Sequence, residues 1–153
     1  MDELDWKVLS LLQQNGRMTY TELARQVHLS VPAVTERVKR LEEAGVIEGY
    51  VARVNPAAVG YPVSALVGIT VSQPAKAKFL KLLDTISEVL ECQHVTGADS
   101  YVMRLVAVNM TDLERLIERI NLYGETRTSM VMSTPLATRA LERPPVKLQK
   151  SKY

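Results

Sequence analysis

The stretch Val27–Ile47, "VHLSVPAVTERVKRLEEAGVI", decides how the chain folds. From Ser30 onward its apolar residues Val34, Val38 and Leu41 recur at helical spacing and define one inner stripe. Ser30 suits the N-cap, and Pro32 in the first turn lacks only an N–H that the helix would leave unpaired. Ala44-Gly45 ends the helix. A second face carries Pro32, Ala33, Glu36, Lys39 and Arg40, with Arg37 at its edge. Core packing does not call for that face, so it needs a partner or solvent.

Two helices precede it. Leu4, Val8, Leu9, Leu11 and Leu12 mark an amphipathic helix from Asp2 to Gln14. The acids Asp2, Glu3 and Asp5 sit at its positive N-terminal end, and Asn15-Gly16 stops it. Thr19 with Glu22 three residues on predicts a capping box for a short second helix whose Leu23, Ala24 and Val27 face inward. His28-Leu29 is the tight connection to the third helix. A bracing helix followed by two helices across a tight turn predicts a helix-turn-helix, whose last helix enters the DNA major groove. The outward residues fit that task. Arg pairs with guanine edges or phosphate, Glu accepts from cytosine, and Thr or Ala touches a thymine methyl. The candidate DNA-binding residues are Arg17, Thr19, Ser30, Val31, Pro32, Ala33, Thr35, Glu36, Arg37 and Arg40. After the third helix "VIEGYVARVNP" alternates as a strand would, and Asn55-Pro56 closes it.

The charge distribution supports a local DNA contact. Residues 1–60 hold 7 basic and 8 acidic groups, residues 61–140 hold 8 and 8, and residues 141–153 hold 4 and 1. A uniformly basic nucleic-acid binder is excluded. Arg17, Arg25, Arg37, Lys39 and Arg40 nevertheless face only Glu22 and Glu36 over that short segment. The acidic start "MDELDWK" is no signal peptide, and no apolar run approaches the roughly 20 residues of a membrane span, so a cytoplasmic protein without membrane contact is expected. The single cysteine, Cys92, forms no intrachain disulfide, and two histidines leave no metal-ligand cluster, so neither metal nor cofactor is expected.

Residues 4–60 resemble the N-terminal domain of the Lrp/AsnC family of transcription factors, the leucine-responsive and asparagine-operon regulators. The likeness is carried by Leu4-Asp5, Leu12-Gln13, Asn15-Gly16-Arg17, Glu22-Leu23-Ala24, Leu29-Ser30, Arg37-Val38, Arg40-Leu41-Glu42 and Gly45-Val46-Ile47. The family usually places glycine where this chain has His28. A left-handed turn there costs a non-glycine residue roughly 1 kcal/mol, and histidine is among the residues that tolerate it. His28 is therefore read as a turn residue.

The remainder spells β-α-β-β-α-β: strands at Val63–Val71, Val89–Thr96, Ser100–Val108 and Thr126–Thr134, with helices opened by Ser72-Gln73-Pro74 and by a Thr111/Glu114 capping box. This is the ferredoxin-like order, a four-stranded antiparallel sheet with both helices on one face. The fold class is thus α+β: a winged-type, three-helix helix-turn-helix unit plus a ferredoxin-like regulatory unit. The expected domains are 1–50, a strand and hinge over 51–62, 63–138, and a basic tail 139–153. Tyr101, Met103, Leu105 and Ala107 alternate with Val102, Arg104, Val106 and Val108, so both faces of that strand are largely apolar and a second subunit is expected to cover one.

This half also resembles the family's regulatory domain. The resemblance implies a homodimer formed through the sheet, higher oligomers such as an octamer, and a small effector, often an amino acid. It places the effector loop at Gly97-Ala98-Asp99-Ser100-Tyr101, with Thr128 and Ser129 of the last strand opposite. Many members carry the aspartate one position later, where this chain has Ser100. A glycine turn offers N–H groups to a carboxylate, and Asp99 suits an α-ammonium; a plain β-turn also favours Asp. Cys92 reads as a small buried hydrophobe, His94 as a strand residue beside the loop, and Met103, Met130 and Met132 as packing.

The leading function is therefore a sequence-specific transcription regulator binding double-stranded DNA, its assembly answering to an effector. The alternatives are a sensor or assembly protein that has lost DNA binding, and an enzyme similar to the sirohaem decarboxylases. No Ser/His/Asp array, phosphate-binding glycine motif or paired acids stands out in the sequence.

Overall fold

The structure, a computed structural model, describes residues 1–145. The chain forms two compact units: Met1–Ala52 together with the segment returning from Leu136, and Arg53–Pro135.

In the first unit α1 (Glu3–Gln14), α2 (Tyr20–Val27) and α3 (Val31–Glu43) close on one core of Val8, Leu9, Leu12, Leu23, Ala24, Val27, Val34, Val38 and Leu41. The expected caps form. The Thr19 side chain accepts from the Glu22 amide while Glu22 accepts from the Thr19 amide at 2.8 Å, and Ser30 Oγ accepts from the Ala33 amide. His28 is the left-handed residue, with φ 57° and ψ 44°, and the Leu29 amide behind it donates to the Ala24 carbonyl at 3.0 Å. His28→Gly removes strain of about 1 kcal/mol. The extra freedom of glycine in the unfolded chain offsets part of that, so urea unfolding is expected to show a gain of about 0.5 kcal/mol. A loss of stability would mean that the imidazole makes a contact worth more than the strain.

The strand expected in "VIEGYVARVNP" does not form. Residues 48–54 make no backbone–backbone hydrogen bond, and Val51 and Val54 stand exposed. Alternation defines a strand only when a neighbouring edge supplies partners, and the described residues of this chain supply none. The returning segment reaches the same helical unit. Gln13 Nε2 donates to the Leu141 carbonyl at 3.1 Å and Gln13 Oε1 accepts from the Leu141 amide at 2.7 Å. One side-chain amide thus satisfies both backbone groups of Leu141, at the rim of an apolar groove lined by Trp6, Leu9, Leu12, Val46 and Ile47. The basic tail beyond residue 145 lies outside the described residues.

The second unit is the expected β-α-β-β-α-β: β1 (Val63–Val71), α4 (Lys76–Leu83), β2 (Val89–His94), β3 (Tyr101–Ala107), α5 (Met110–Asn121) and β4 (Gly124–Met130). The sheet is antiparallel in the order β2-β3-β1-β4. Ala65, Val67 and Ile69 of β1 and Tyr101, Met103, Leu105 and Ala107 of β3 pack with Phe79, Ile86, Leu113, Leu116 and Ile120, so both helices lie on one face. Several ends move. Gln73–Ala75 is a 3-10 turn before α4, β2 stops at His94, and β4 ends at Met130 rather than Thr134. α5 begins two residues early because Asn109, not Thr111, caps it, its Oδ1 accepting from the Asp112 amide at 2.8 Å. An exposed Asn ahead of an Asp three residues on satisfies an orphan amide of the first turn in the way expected of the Thr/Glu pair, one half-turn sooner.

Candidate DNA-reading surface and effector loop

Burial of Val34, Val38 and Leu41 turns the other side of α3 outward. Val31, Pro32, Thr35, Glu36 and Arg40 are exposed, and Ala33 is half-buried. Thr35 Oγ1 donates to the Val31 carbonyl at 2.8 Å, which ties its hydroxyl to the helix. Ser30 and Thr19 are engaged as caps, and Arg17 lies exposed in the turn before α2, its amide donating to Asn15 Oδ1 at 3.0 Å. Of the candidate readers, Glu36 and the Arg17 guanidinium are without a hydrogen-bond or ion-pair partner among the described residues, with Val31, Pro32 and Ala33 forming a small apolar nose at the start of α3.

Arg37 has another occupation. Its Nη1 lies 2.7 Å from Asp2 Oδ2 and 2.6 Å from Asp5 Oδ1, and its side chain is only 21% exposed. Asp5 is 4% exposed and is the buried charged residue of this unit. It also accepts from the Asp2 amide at 2.8 Å and from Arg40 Nη2 at 3.2 Å. In sequence the acids at the start of α1 read only as partners of the helix dipole. In the structure they form a brace that fixes how α3 lies across α1. The spacing in sequence, 32 residues between Asp5 and Arg37, hides that pairing.

The brace is sensitive to acid. The Asp2 carboxyl is held below the usual carboxylate range, first by the Asp5 amide and then by the Arg37 guanidinium. A carboxyl whose folded value is depressed contributes stability above its unfolded value, about 3.9, and loses that contribution as pH falls through the folded one. NMR titration of the Asp2 carboxyl carbon is expected to give a midpoint below 3.9. Arg37→Gln recovers only part of the shift, because the amide bond remains. A midpoint unmoved by Arg37→Gln would remove the arginine from the account.

The candidate effector loop, Gly97–Tyr101, is pinned to β1. The Ser100 amide donates to the Ile69 carbonyl at 2.9 Å, the Val71 amide donates to Ser100 Oγ at 3.3 Å, and Thr70 Oγ1 donates to the Ala98 carbonyl at 3.0 Å. Gly97 supplies a left-handed turn at φ 124°. Asp99 lies across β1 on the sheet face away from the helices and pairs with Arg127 of β4. Gly68 makes this passage possible, since a Cβ there would stand 2.5 Å from Asp99 Oδ2. Register places Gly68 opposite Arg127, Leu66 opposite Ser129 and Val67 opposite Thr128. Ser129 thus shares the Asp99 face, whereas Thr128 sits on the helix side beside Met110, Thr111 and Ile117. Tyr101 is also on the helix side, its ring 5.2 Å from Phe79 and 4.9 Å from His94, with its hydroxyl buried and unpaired. Of the candidate residues, Asp99 and Ser129 thus share one face of the sheet with Gly68 and Arg127, while Thr128 and Tyr101 lie on the other. An isolated glycine inside "VSALVGITV" was the available signal of a close approach; nothing in the sequence singles out Arg127.

A helix-turn-helix reader joined to an antiparallel βαββαβ unit defines a two-domain transcription regulator. Comparison with known proteins agrees. Residues 1–48 match the model of the winged helix-turn-helix DNA-binding family, and residues 64–141 match that of the Lrp/AsnC ligand binding domain. The HTH-type transcriptional regulator LrpA of Mycobacterium tuberculosis is 39% identical over 137 residues, covering 88% of this chain and 91% of that protein. The solved structure of Bacillus subtilis LrpC superposes with a TM-score of 0.85 at 30% identity, covering 91% of this chain and 99% of that one. A Neisseria meningitidis transcriptional regulator solved as a complex with L-Met superposes with a TM-score of 0.86 at 28% identity, covering 92% and 96%. This chain belongs to the Lrp/AsnC family of DNA-binding transcriptional regulators. Among the described residues no helix is long and apolar enough to cross a membrane.

Proposed function

We propose that the chain acts as a homodimer, or a higher oligomer such as an octamer, whose paired α3 helices read two DNA half-sites, and that an amino acid held at the loop around Asp99 sets the assembly. The observation that carries the reading is the division of α3: its inner stripe is fully buried while Val31, Pro32, Thr35, Glu36 and Arg40 face outward. Base edges are met by the first turns of such a helix, which assigns Ala33, Thr35 and Glu36 to the groove. Arg17, Thr19, Ser30 and Arg40 approach phosphate, and Arg37 holds the helix in place. The dimer is supported by Leu66, 45% exposed on the sheet face away from the helices, where an apolar residue at mid-strand calls for cover. The amino-acid effector is supported by the L-Met complex of the Neisseria relative and by the charges at the loop. Work on DNA places the protein in the cytoplasm. We divide the chain into a reader (1–50), a hinge (51–62), a regulatory unit (63–138) and a tail (139–153).

The test is a competition shift assay on the DNA upstream of the protein's own coding region, at fixed salt, with and without each of the twenty amino acids. Specific DNA is expected to resist random competitor, with one or more amino acids changing the ladder of complexes. Equal retention of specific and random DNA would sink the reader, and a ladder indifferent to every amino acid would sink the effector.

A further inference from the structure

Resting on the DNA reading above, we infer that α2 carries a second grip on the DNA backbone, a cleft where Arg25 and His28 take phosphate, and that His28 makes this grip stronger as pH falls. In a helix-turn-helix the second helix of the pair enters the groove while the first crosses the backbone, which brings α2 to the phosphates. The cleft lies on α2 and the turn before it, lined by Asn15, Met18, Glu22, Arg25, Gln26 and His28. Arg25 and His28 stand three residues apart, the spacing of neighbours on a helix surface, and both are exposed. Among the described residues neither side chain has a hydrogen-bond or ion-pair partner. His28 comes two residues before Ser30, the cap of α3, so the cleft adjoins the start of the reading helix.

Two features mark the cleft as more than a solvated helix side. The first is backbone strain. His28 takes φ 57° and ψ 44°, a turn that glycine makes freely. No hydrogen bond of the imidazole within the described residues offsets that strain, and strain of this kind gathers at binding sites. The second is the charge balance. Glu22 is the acid of the lining, and its Oε2 turns back to accept from the Thr19 amide and hydroxyl, both at 2.8 Å. Asn15, Met18 and Gln26 are uncharged, so the charged groups that share the cleft with His28 are Glu22 and Arg25. With the imidazole neutral these two cancel; with it protonated the cleft carries a net positive charge. An imidazole gains its charge within about pH 5–8, and phosphate favours the charged form. Affinity for DNA therefore rises as pH falls through that range. Salt dependence rises with it, because an added cation at the backbone displaces another condensed counterion.

The experiment uses the full chain and a labelled duplex of random sequence, where backbone contacts dominate. Anisotropy is read over a range of salt at about pH 6 and about pH 8, on either side of the ordinary imidazole midpoint. Wild type is expected to bind at least about threefold more tightly at the lower pH, with the slope of log affinity against log salt steeper by about one. His28→Asn keeps a residue that accepts the left-handed turn, and His28→Gly makes the same turn without strain. Both should remove the two differences while leaving the circular dichroism spectrum unchanged. His94→Asn alters the chain's other imidazole and should leave the differences in place. Arg25→Gln should lower the salt slope by about one at both pH values. Wild-type binding that is indifferent to pH, or a pH difference that survives both His28 variants, overturns the role of His28. A slope that Arg25→Gln also leaves unmoved overturns the cleft. Either result leaves the reading of DNA by α3 intact, whereas failure to bind any duplex at either pH removes the DNA reading, and the cleft with it.

Discussion

Asp5→Ala is expected to lower the stability of the helical unit by about 2–3 kcal/mol. Two losses combine. The α1 capping box loses the side chain that accepts from the Asp2 amide, worth about 1 kcal/mol. The Arg37 guanidinium, which is only 21% exposed, loses its shortest partner, and Arg40 loses the same oxygen. Stripping one partner from a fully buried ion pair costs about 3–5 kcal/mol. Here Asp2 still faces Arg37 and Arg40 is 58% exposed, so solvent and the remaining acid reduce the figure. Trp6 is the chain's single tryptophan and packs against this core, so its fluorescence during urea unfolding reports on the unit directly. A double-mutant cycle with Arg37→Ala should return a coupling of about 1–2 kcal/mol. A loss below about 0.5 kcal/mol, the level of an ordinary surface change, would mean the brace is incidental.

The second large effect concerns DNA. Arg40 lies in the third turn of α3, beyond the turns that meet base edges. Its loss is therefore expected to act on phosphate: Arg40→Ala weakens specific and random DNA alike by roughly tenfold and lowers the slope of log affinity against log salt by about one. Glu36→Ala should do the opposite. It should leave the salt slope unchanged and relax discrimination at one base position by about 1–3 kcal/mol. Fluorescence anisotropy at several salt concentrations, on operator and scrambled duplexes, separates the two. If Arg40→Ala spares random DNA and hurts only the operator, Arg40 reads a base and the assignment is reversed.

The three helices, the Thr19/Glu22 capping box and the order of strands were legible because each rests on local chemistry. Thr19 and Glu22 cap because they stand three residues apart, and Val34, Val38 and Leu41 share a face because a helix turns every 3.6 residues. His28 was legible as a left-handed turn because the family that the sequence resembles usually places glycine there. What stayed hidden depended on partners distant in sequence. "VIEGYVARVNP" has the alternation of a strand, but no edge is within reach of it among the described residues. Thr128 looked suited to the loop until the register put it on the helix side, and Arg127 looked like any exposed strand cation until Gly68 let Asp99 cross to it. Arg37 has the chemistry of a DNA reader, and only the fold shows that Asp2 and Asp5 already claim it.

The two-way amide bond between Gln13 and Leu141 has a bearing on biosynthesis. The sheet unit, Arg53–Pro135, is threaded between two parts of the helical one. A ribosome delivers Gln13 more than a hundred residues before the backbone that it clasps. The groove beside Trp6 waits for Leu141, which follows the whole of β4 in the chain. The three-helix core, built within residues 1–52, can thus form before the sheet, and only its clasp on Leu141 comes after the sheet residues have been made.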